Sequence, residues 1–329
     1  MNTVTPYIIA ESAQGYEGSA DIAKLLVQGA IFAKSNAVKF QIIYTSDLCE
    51  PGYEHFELFN QLEMGEDEWM SIRCLAKENN IDFIADVFGE KSLEIAKKID
   101  VDGIKLHSTT FFDDDLVSSV LALDKKTYIS IGGIKLEEIQ DFIDQHQIRN
   151  RNDIVILFGF QAEPTPIHLN NLARIKNLKK KTGLEIGFMD HSEGGSSDEI
   201  FLSVLVLGMG VRIFEKHITL DREPKLEDYI SGLEPSKFAE YVKTLNRLPS
   251  AIGKSDLNLI DEEHEYRKKA LKKVVASRNI KSGEKLTQKN VHLSRADNSD
   301  GEYQLKTVLG KTTKQDLKKG QPVSMQILS

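Results

Sequence analysis

Short runs rich in Val, Ile and Phe alternate along the chain with longer stretches whose apolar positions fall three and four residues apart. The first pattern fits buried strands and the second amphipathic helices, and their regular alternation predicts strand-helix units feeding a parallel sheet. Strands are predicted at Tyr7 to Ala10, Val38 to Ile42, Asp82 to Asp86, Gly103 to Leu106, Thr127 to Ile131, Ile154 to Phe158, Glu185 to Phe188 and Val211 to Phe214. Amphipathic helices are predicted at Ser19 to Ala33, Asp67 to Asn79, Lys91 to Lys98, Leu136 to Gln145, Ile167 to Lys181 and Ser197 to Leu207. Eight strands with their helices in roughly 250 residues match the size of an α/β fold of the (β/α)8, or TIM barrel, type. An open doubly wound sheet is the alternative, because sequence does not reveal closure.

The pattern changes after a helix around Lys237 to Leu248. Residues 253–270 are polar, acidic first and then basic, as suits an exposed connector. Beyond it, short apolar pairs alternate with the turn signals Lys-Ser-Gly-Glu (281 to 284), Asp-Asn-Ser-Asp-Gly (297 to 301) and Lys-Lys-Gly-Gln (318 to 321). Such spacing predicts a small β-rich domain. The expected organisation is therefore a barrel domain at 1–252, a linker at 253–270 and a β-rich domain at 271–329.

Composition narrows the function classes. A net charge of −8 and a pI near 5.6 argue against a nucleic-acid or anionic-membrane partner, so an anionic ligand would need local lysines. The N-terminus lacks a charged region followed by a long apolar stretch, and the run Phe201 to Met209 is too short to span a bilayer. Neither export nor membrane insertion is expected. Cys49 and Cys74 lack metal-type spacing and read as buried small apolar residues, which fits a reducing cytoplasm.

In a barrel of this type the chemistry gathers at the C-terminal ends of the strands. Those ends are polar here: Glu11; Lys39 and Gln41; Asp86; Lys105, His107 and Ser108; Ser130; Gln161 and Glu163; Asp190 and His191; Glu215, Lys216 and His217. His191 and His217 end neighbouring strands and can share one divalent ion, with Asp190 and Glu215 placed to orient the rings. Lys39 and Lys105 suggest a cationic pocket for a phosphate or carboxylate, and Lys39 lies inside an apolar strand where its stem has little other excuse. His107 has no such partner and reads as structural.

At these residues the chain resembles the sialic acid (N-acetylneuraminate) synthase family, barrel enzymes with a C-terminal antifreeze-like (SAF) domain. The resemblance is carried by Phe-Glu-Lys-His-Ile-Thr-Leu-Asp (214 to 221), Gly-Phe-Met-Asp-His-Ser (187 to 192), Val-Lys-Phe-Gln (38 to 41) and Ile-Ala-Glu (9 to 11). In the C-terminal part it is carried by the run 274 to 287 and Val-Leu-Gly-Lys (308 to 311). It implies condensation of phosphoenolpyruvate with an N-acyl amino sugar to give a nonulosonic acid and phosphate. His191 and His217 would hold the metal, manganese first with magnesium or cobalt as alternatives. Glu11, Lys39, Lys105 and Glu215 would carry catalysis, and Gln41, Ser108, Ser130, Gln161, Asp190, Asp221 and Lys272 would bind substrate. A domain-exchanged homodimer is also implied.

Departures from the family pattern fall inside the site. Gly15 and Tyr16 replace an Asn-His pair, Asp86 stands where a phosphate-binding threonine is usual, and Met189 replaces a serine. Ser130 to Gly133 and Gln161 to Pro164 also differ from their family runs, and Lys272 replaces an arginine. Two rival readings stay open: a keto-acid aldolase or lyase forming a Schiff base on Lys39 or Lys105, and a non-catalytic sugar-acid binder.

Overall fold

A computed structural model describes residues 5–196, 198–253, 255–296 and 300–329. Within the predicted turn at 297–301, only 300 and 301 are therefore described. The chain divides into two compact units, Met1–Gly253 and Lys254–Ser329.

In the first unit eight parallel strands close into a barrel: β1 (Tyr7–Ala13), β2 (Ala37–Gln41), β3 (Asp82–Val87), β4 (Gly103–Leu106), β5 (Lys126–Ser130), β6 (Ile154–Phe158), β7 (Glu185–Asp190) and β8 (Ile213–His217). Closure comes from β1 pairing with β8, Tyr7 opposite Ile213 through Glu11 opposite His217, which rules out the open sheet. The eighth strand starts two residues later and runs three residues further than the pattern suggested, because Glu215 and His217 point inward and extend the alternation.

Side chains alternate between two cores. Ile9, Ala37, Ile84, Tyr128, Val155, Leu157, Met189 and Ile213 pack against one another inside the barrel. Their neighbours Ile8, Ala10, Val38, Phe40, Phe83, Ala85, Phe188 and Phe214 face outward into the layer beneath the helices. Among those helices, Ala20–Ala33 begins at Ser19, whose side chain accepts the Ile22 N–H, and packs against Pro235–Arg247 and Glu66–Glu78. The helix expected at Ile167 to Lys181 is split into a 3-10 turn, Ile167–Leu169, and a helix, Arg174–Thr182. Cys49 is half-buried and Cys74 exposed, both free, which corrects the expectation that they fill core positions. Among the described residues no helix is long and apolar enough to cross a membrane.

In the second unit, β9 (Lys273–Ala276) pairs antiparallel with β10 (Val291–Ser294). Single bridges such as Ile280 to Leu317 and Thr313 to Leu328 stitch its turns around Val274, Ile280, Leu286, Val308, Leu317 and Val323. The stretch read as a connector contains a helix, Asp261–Ala270, with acids in its first turn and bases in its last and no buried residue.

Candidate active site at the mouth of the barrel

The period of two that fills the barrel with apolar side chains also fixes what lies above them. One step beyond Ile9, Ala37, Ile84, Gly103, Tyr128 and Ile213, the inward positions are Glu11, Lys39, Asp86, Lys105, Ser130 and Glu215. The ladder sets Glu11 beside Lys39 and Asp86 beside Lys105. The result is a buried cage of two ammonium groups and three carboxylates. Lys105 Nζ donates to Glu215 Oε1 at 3.0 Å and lies 3.4 Å from Asp86 and 3.9 Å from Glu11. Lys39 pairs with Glu11 and lies 3.4 Å from Glu215 and 3.6 Å from Asp86. Glu11 is tied down further by accepting the Ala13 N–H at 2.7 Å, where β1 bulges.

Burial and neighbours shape the cage electrostatically. Desolvation, with help from Lys105, pushes Lys39 down to about 8 despite the opposing pull of Glu215. Burial acts against the charge of Lys105 too, yet Glu215 and Asp86 outweigh it and hold this lysine above its ordinary value. Burial likewise opposes ionisation of Glu215, and the two lysines overcome it and keep the group at about 2. Fully ionised, the cage has one negative charge in excess.

Above the cage, Gln161 gathers the hydroxyl groups of the far wall. Its Oε1 accepts from Ser108 Oγ at 2.9 Å and faces Ser130 Oγ at 3.5 Å, while its Nε2 lies 3.2 Å from His107 Nε2. A Cβ on Gly132 would come within 2.6 Å of Gln161 Oε1, so that glycine leaves the amide its space. His107, read as structural, thus faces the site, and burial depresses it to about 4. On the near wall Gln41 accepts from Gln14 Nε2 at 2.9 Å.

The two histidines meet at the rim, with ring centroids 5.0 Å apart. Both are buried, and neither Nδ1 has a hydrogen-bond partner. Burial lowers His191 to about 4 and, joined by His191, lowers His217 well below its ordinary value, so both rings are neutral, the form that ligates metals. Orphaned neutral imidazoles fit a divalent ion. The carboxylates expected to orient them are engaged elsewhere, Asp190 by Ser192, Ser203 and Lys216 and Glu215 by Lys105. Glu163, His217 and Asp228 form a group whose ligand atoms lie within 4.8 Å of one another. Burial and the adjacent Asp228 raise Glu163 to about 8. Glu163 stands at a polar strand end with no sequence signal for a role, and Asp228 arrives on an ordinary polar segment after β8 with no local signal.

Other expected site residues lie elsewhere. Asp190 points outward from β7, accepting from Ser192, Ser203 and, at 3.3 Å, from buried Lys216. It is a strut behind the barrel wall, which corrects its reading as a substrate contact. Period two forces this, since His191 is the inward residue. Asp221 is exposed, and its Oδ1 accepts the Glu223 N–H in a local turn. Lys272 is an exposed residue of the second unit. A cavity of about 960 Å3 lined by Ile131, Ile139, Phe158, Leu169, Arg174 and Leu178 holds none of the cage or rim residues.

A closed β/α barrel with buried lysines, carboxylates and paired imidazoles at its C-terminal mouth has the layout of a barrel enzyme's active site. The sequence profile of the NeuB family matches residues 26–256, and that of the SAF domain matches residues 273–326; the chain belongs to the NeuB family. It is 28% identical over 330 residues to the pseudaminic acid synthase of Campylobacter jejuni, covering 95% of this chain and 94% of the relative. An uncharacterised protein of Methanocaldococcus jannaschii is 29% identical over 94% of this chain and 90% of its own length. Among solved structures, the N-acetylneuraminic acid (sialic acid) synthetase of Leptospira borgpetersenii, crystallised with citrate, superposes with a TM-score of 0.73 at 26% identity. That match covers 82% of this chain and 93% of the other.

Proposed function

We propose that this protein is a metal-dependent synthase that condenses phosphoenolpyruvate with the open-chain aldehyde of an N-acyl amino sugar, giving a nonulosonic 2-keto-3-deoxy acid and inorganic phosphate. The observation that carries this reading is the meeting of Lys39 and Lys105 with Glu11, Glu215, His191 and His217 at one barrel mouth, in a chain whose relatives include a pseudaminic acid synthase.

The donor's anionic groups would pair with Lys39 and Lys105, and Ser108, Ser130 and Gln161 would hydrogen-bond the same fragment. In the bond-forming step, C3 of the enol attacks the aldehyde carbon. Water then adds at C2, and loss of phosphate leaves the ketone. A divalent ion at His191 and His217, manganese first and magnesium or cobalt as alternatives, supplies Lewis-acid polarisation of a carbonyl when bound. Glu11 and Glu215, ion-paired to the lysines, would orient the sugar or the attacking water by accepting hydrogen bonds. Gln41 would line the sugar side. Asp86 sits against both lysines and competes with a donor phosphate for them, so donor binding is expected to be weaker than bare lysines would give.

The reaction is assigned to the cytoplasm, and a domain-exchanged homodimer, in which Lys272 would reach a neighbouring barrel, is part of the reading; light scattering that finds only monomer would remove that part. The principal test is phosphate release from phosphoenolpyruvate and manganese across a panel of N-acyl amino sugars. Sugar-dependent release supports the reading, and silence across the panel counts against it.

A second reading has one observation in its favour: Lys39, depressed to about 8, is partly neutral near physiological pH and so suited to a Schiff base with a keto acid. Borohydride trapping with pyruvate separates the two, since only an aldolase is covalently labelled at Lys39.

A further inference from the structure

The hydrogen bonds on the far wall of the mouth can be arranged in two ways with the same heavy atoms in the same places. His107 directly follows β4, and its ring leans on Phe88 with centroids 5.5 Å apart. Burial, helped by Lys105 and Lys39 and opposed by Asp86 and Glu215, holds the imidazole at about 4. The ring is therefore neutral and carries one proton, on either Nδ1 or Nε2. Near Nδ1 stand the Thr109 hydroxyl, which can accept, at 3.2 Å, and the Thr109 N–H, which can only donate, at 3.3 Å. The Gln161 amide lies 3.2 Å from Nε2.

In the first arrangement Nδ1 donates to Thr109 Oγ1, and the bare Nε2 accepts from Gln161 Nε2. Gln161 Oε1 then accepts from Ser108 Oγ at 2.9 Å, and Ser130 Oγ, 3.5 Å away, aims its hydrogen at the same oxygen. Both hydroxyl hydrogens are spent inside the wall, and the serines offer the mouth only lone pairs. Such a wall repels an anion. In the second arrangement the Thr109 N–H donates to a bare Nδ1, Nε2 donates to Gln161 Oε1, and the amide turns its NH2 toward the serines. One amide hydrogen meets Ser108, and with Ser130 no closer than 3.5 Å the other is left for a ligand. Both serine hydroxyls can then donate into the mouth. The two states differ by one proton position and one half-turn of an amide.

We propose that His107 is a positioning residue for the anionic donor: the ring nitrogen that holds its proton sets, through Gln161, whether Ser108 and Ser130 keep their hydrogens in the wall or present them to the anion. The donor-free protein holds the first arrangement, and donor binding selects the second. This deepens the reading above and rests on it for an anion gripped by Lys39 and Lys105.

The test is nitrogen-15 NMR of the histidine rings in the full chain, with and without saturating phosphoenolpyruvate, the His107 signals being those missing from His107→Phe. The proton is expected on Nδ1 in the free chain and on Nε2 with phosphoenolpyruvate bound, and the exchange should vanish in Gln161→Ala. His107→Phe keeps an aromatic ring against Phe88 and removes the nitrogens. It should weaken phosphoenolpyruvate by about tenfold in calorimetric titration, the worth of one hydrogen bond, and leave kcat nearly unchanged. Circular dichroism verifies folding. A His107 proton that stays on one nitrogen with and without bound phosphoenolpyruvate, an exchange that persists in Gln161→Ala, or a folded His107→Phe that binds as tightly as wild type overturns the proposal. Binding without exchange, accompanied by sugar-dependent turnover, defeats this proposal and spares the synthase reading; exchange on binding, with no turnover on any sugar, does the reverse. A wild-type chain that binds no phosphoenolpyruvate overturns both.

Discussion

Two levels of the same barrel mouth are built on opposite principles. In the lower cage each charge has an opposite neighbour: Lys105 meets Glu215 and Asp86, and Lys39 meets Glu11, Glu215 and Asp86. At the rim above it, buried imidazole nitrogens lack partners and two carboxylates stand side by side. The cage is paired in charge although Lys39 Nζ, both Asp86 oxygens and Glu215 Oε2 make no hydrogen bond, whereas the rim imidazoles have neither an opposite charge nor a hydrogen bond at Nδ1. Substitutions in the cage should therefore cost stability as well as activity, and substitutions at the rim should cost activity and leave the fold almost untouched.

The largest effect is expected at the rim. His217→Ala should reduce sugar-dependent turnover to background while the free energy of unfolding, from urea titration, moves by no more than about 1 kcal/mol. A large loss of stability would place His217 with the structural residues and break the contrast. Next comes the cage. Lys105→Met leaves three buried carboxylates with one lysine and should destabilise the protein by about 3–5 kcal/mol, read by the same titration. A near-neutral result would mean that the cage is far better hydrated than its burial implies.

A third effect separates the two lysines by pH. Lys39 titrates at about 8 and is cationic below that value and neutral above it, while Lys105 stays charged. With both lysines gripping the donor as proposed, the KM for phosphoenolpyruvate should rise as pH climbs through about 8, because one of the two charges is then lost. A KM flat from pH 7 to 9 would remove Lys39 from donor binding. The smallest effect is expected at Asp86. Replacing it by Asn keeps the shape and removes the competing charge, so the donor KM should fall by several-fold. A rise would mean that Asp86 helps to bind donor.

The sequence carried the barrel and the cage because both follow from one regularity. Period-two strands place Glu11, Lys39, Lys105 and Glu215 at matching heights, and eight such strands leave few other folds. The same regularity, applied strictly, excludes Asp190 from the interior, since an inward His191 obliges its neighbour to face outward, where Lys216 receives it. Period two also puts His107 on the face of Lys105, but its contact with Gln161, which arrives from a distant strand end, has no local sequence signal. Asp228 was hidden for a related reason: its position depends on the Gln14 N–H and on a segment pinned to the loop after β7, contacts between residues far apart in the chain. Asp86 lay in plain view on its strand, but only the two distances to the lysines reveal that it occupies their shared face.

The central claim is the formation of a carbon–carbon bond between an enol and a sugar aldehyde. Phosphoenolpyruvate labelled with 13C at C3, incubated with the protein, Mn2+ and an N-acyl amino sugar, tests it by mass spectrometry and NMR. The label is expected in a new methylene group of a keto acid that carries all the carbons of the sugar. Label recovered only in phosphoenolpyruvate or pyruvate, across the sugar panel, would contradict it.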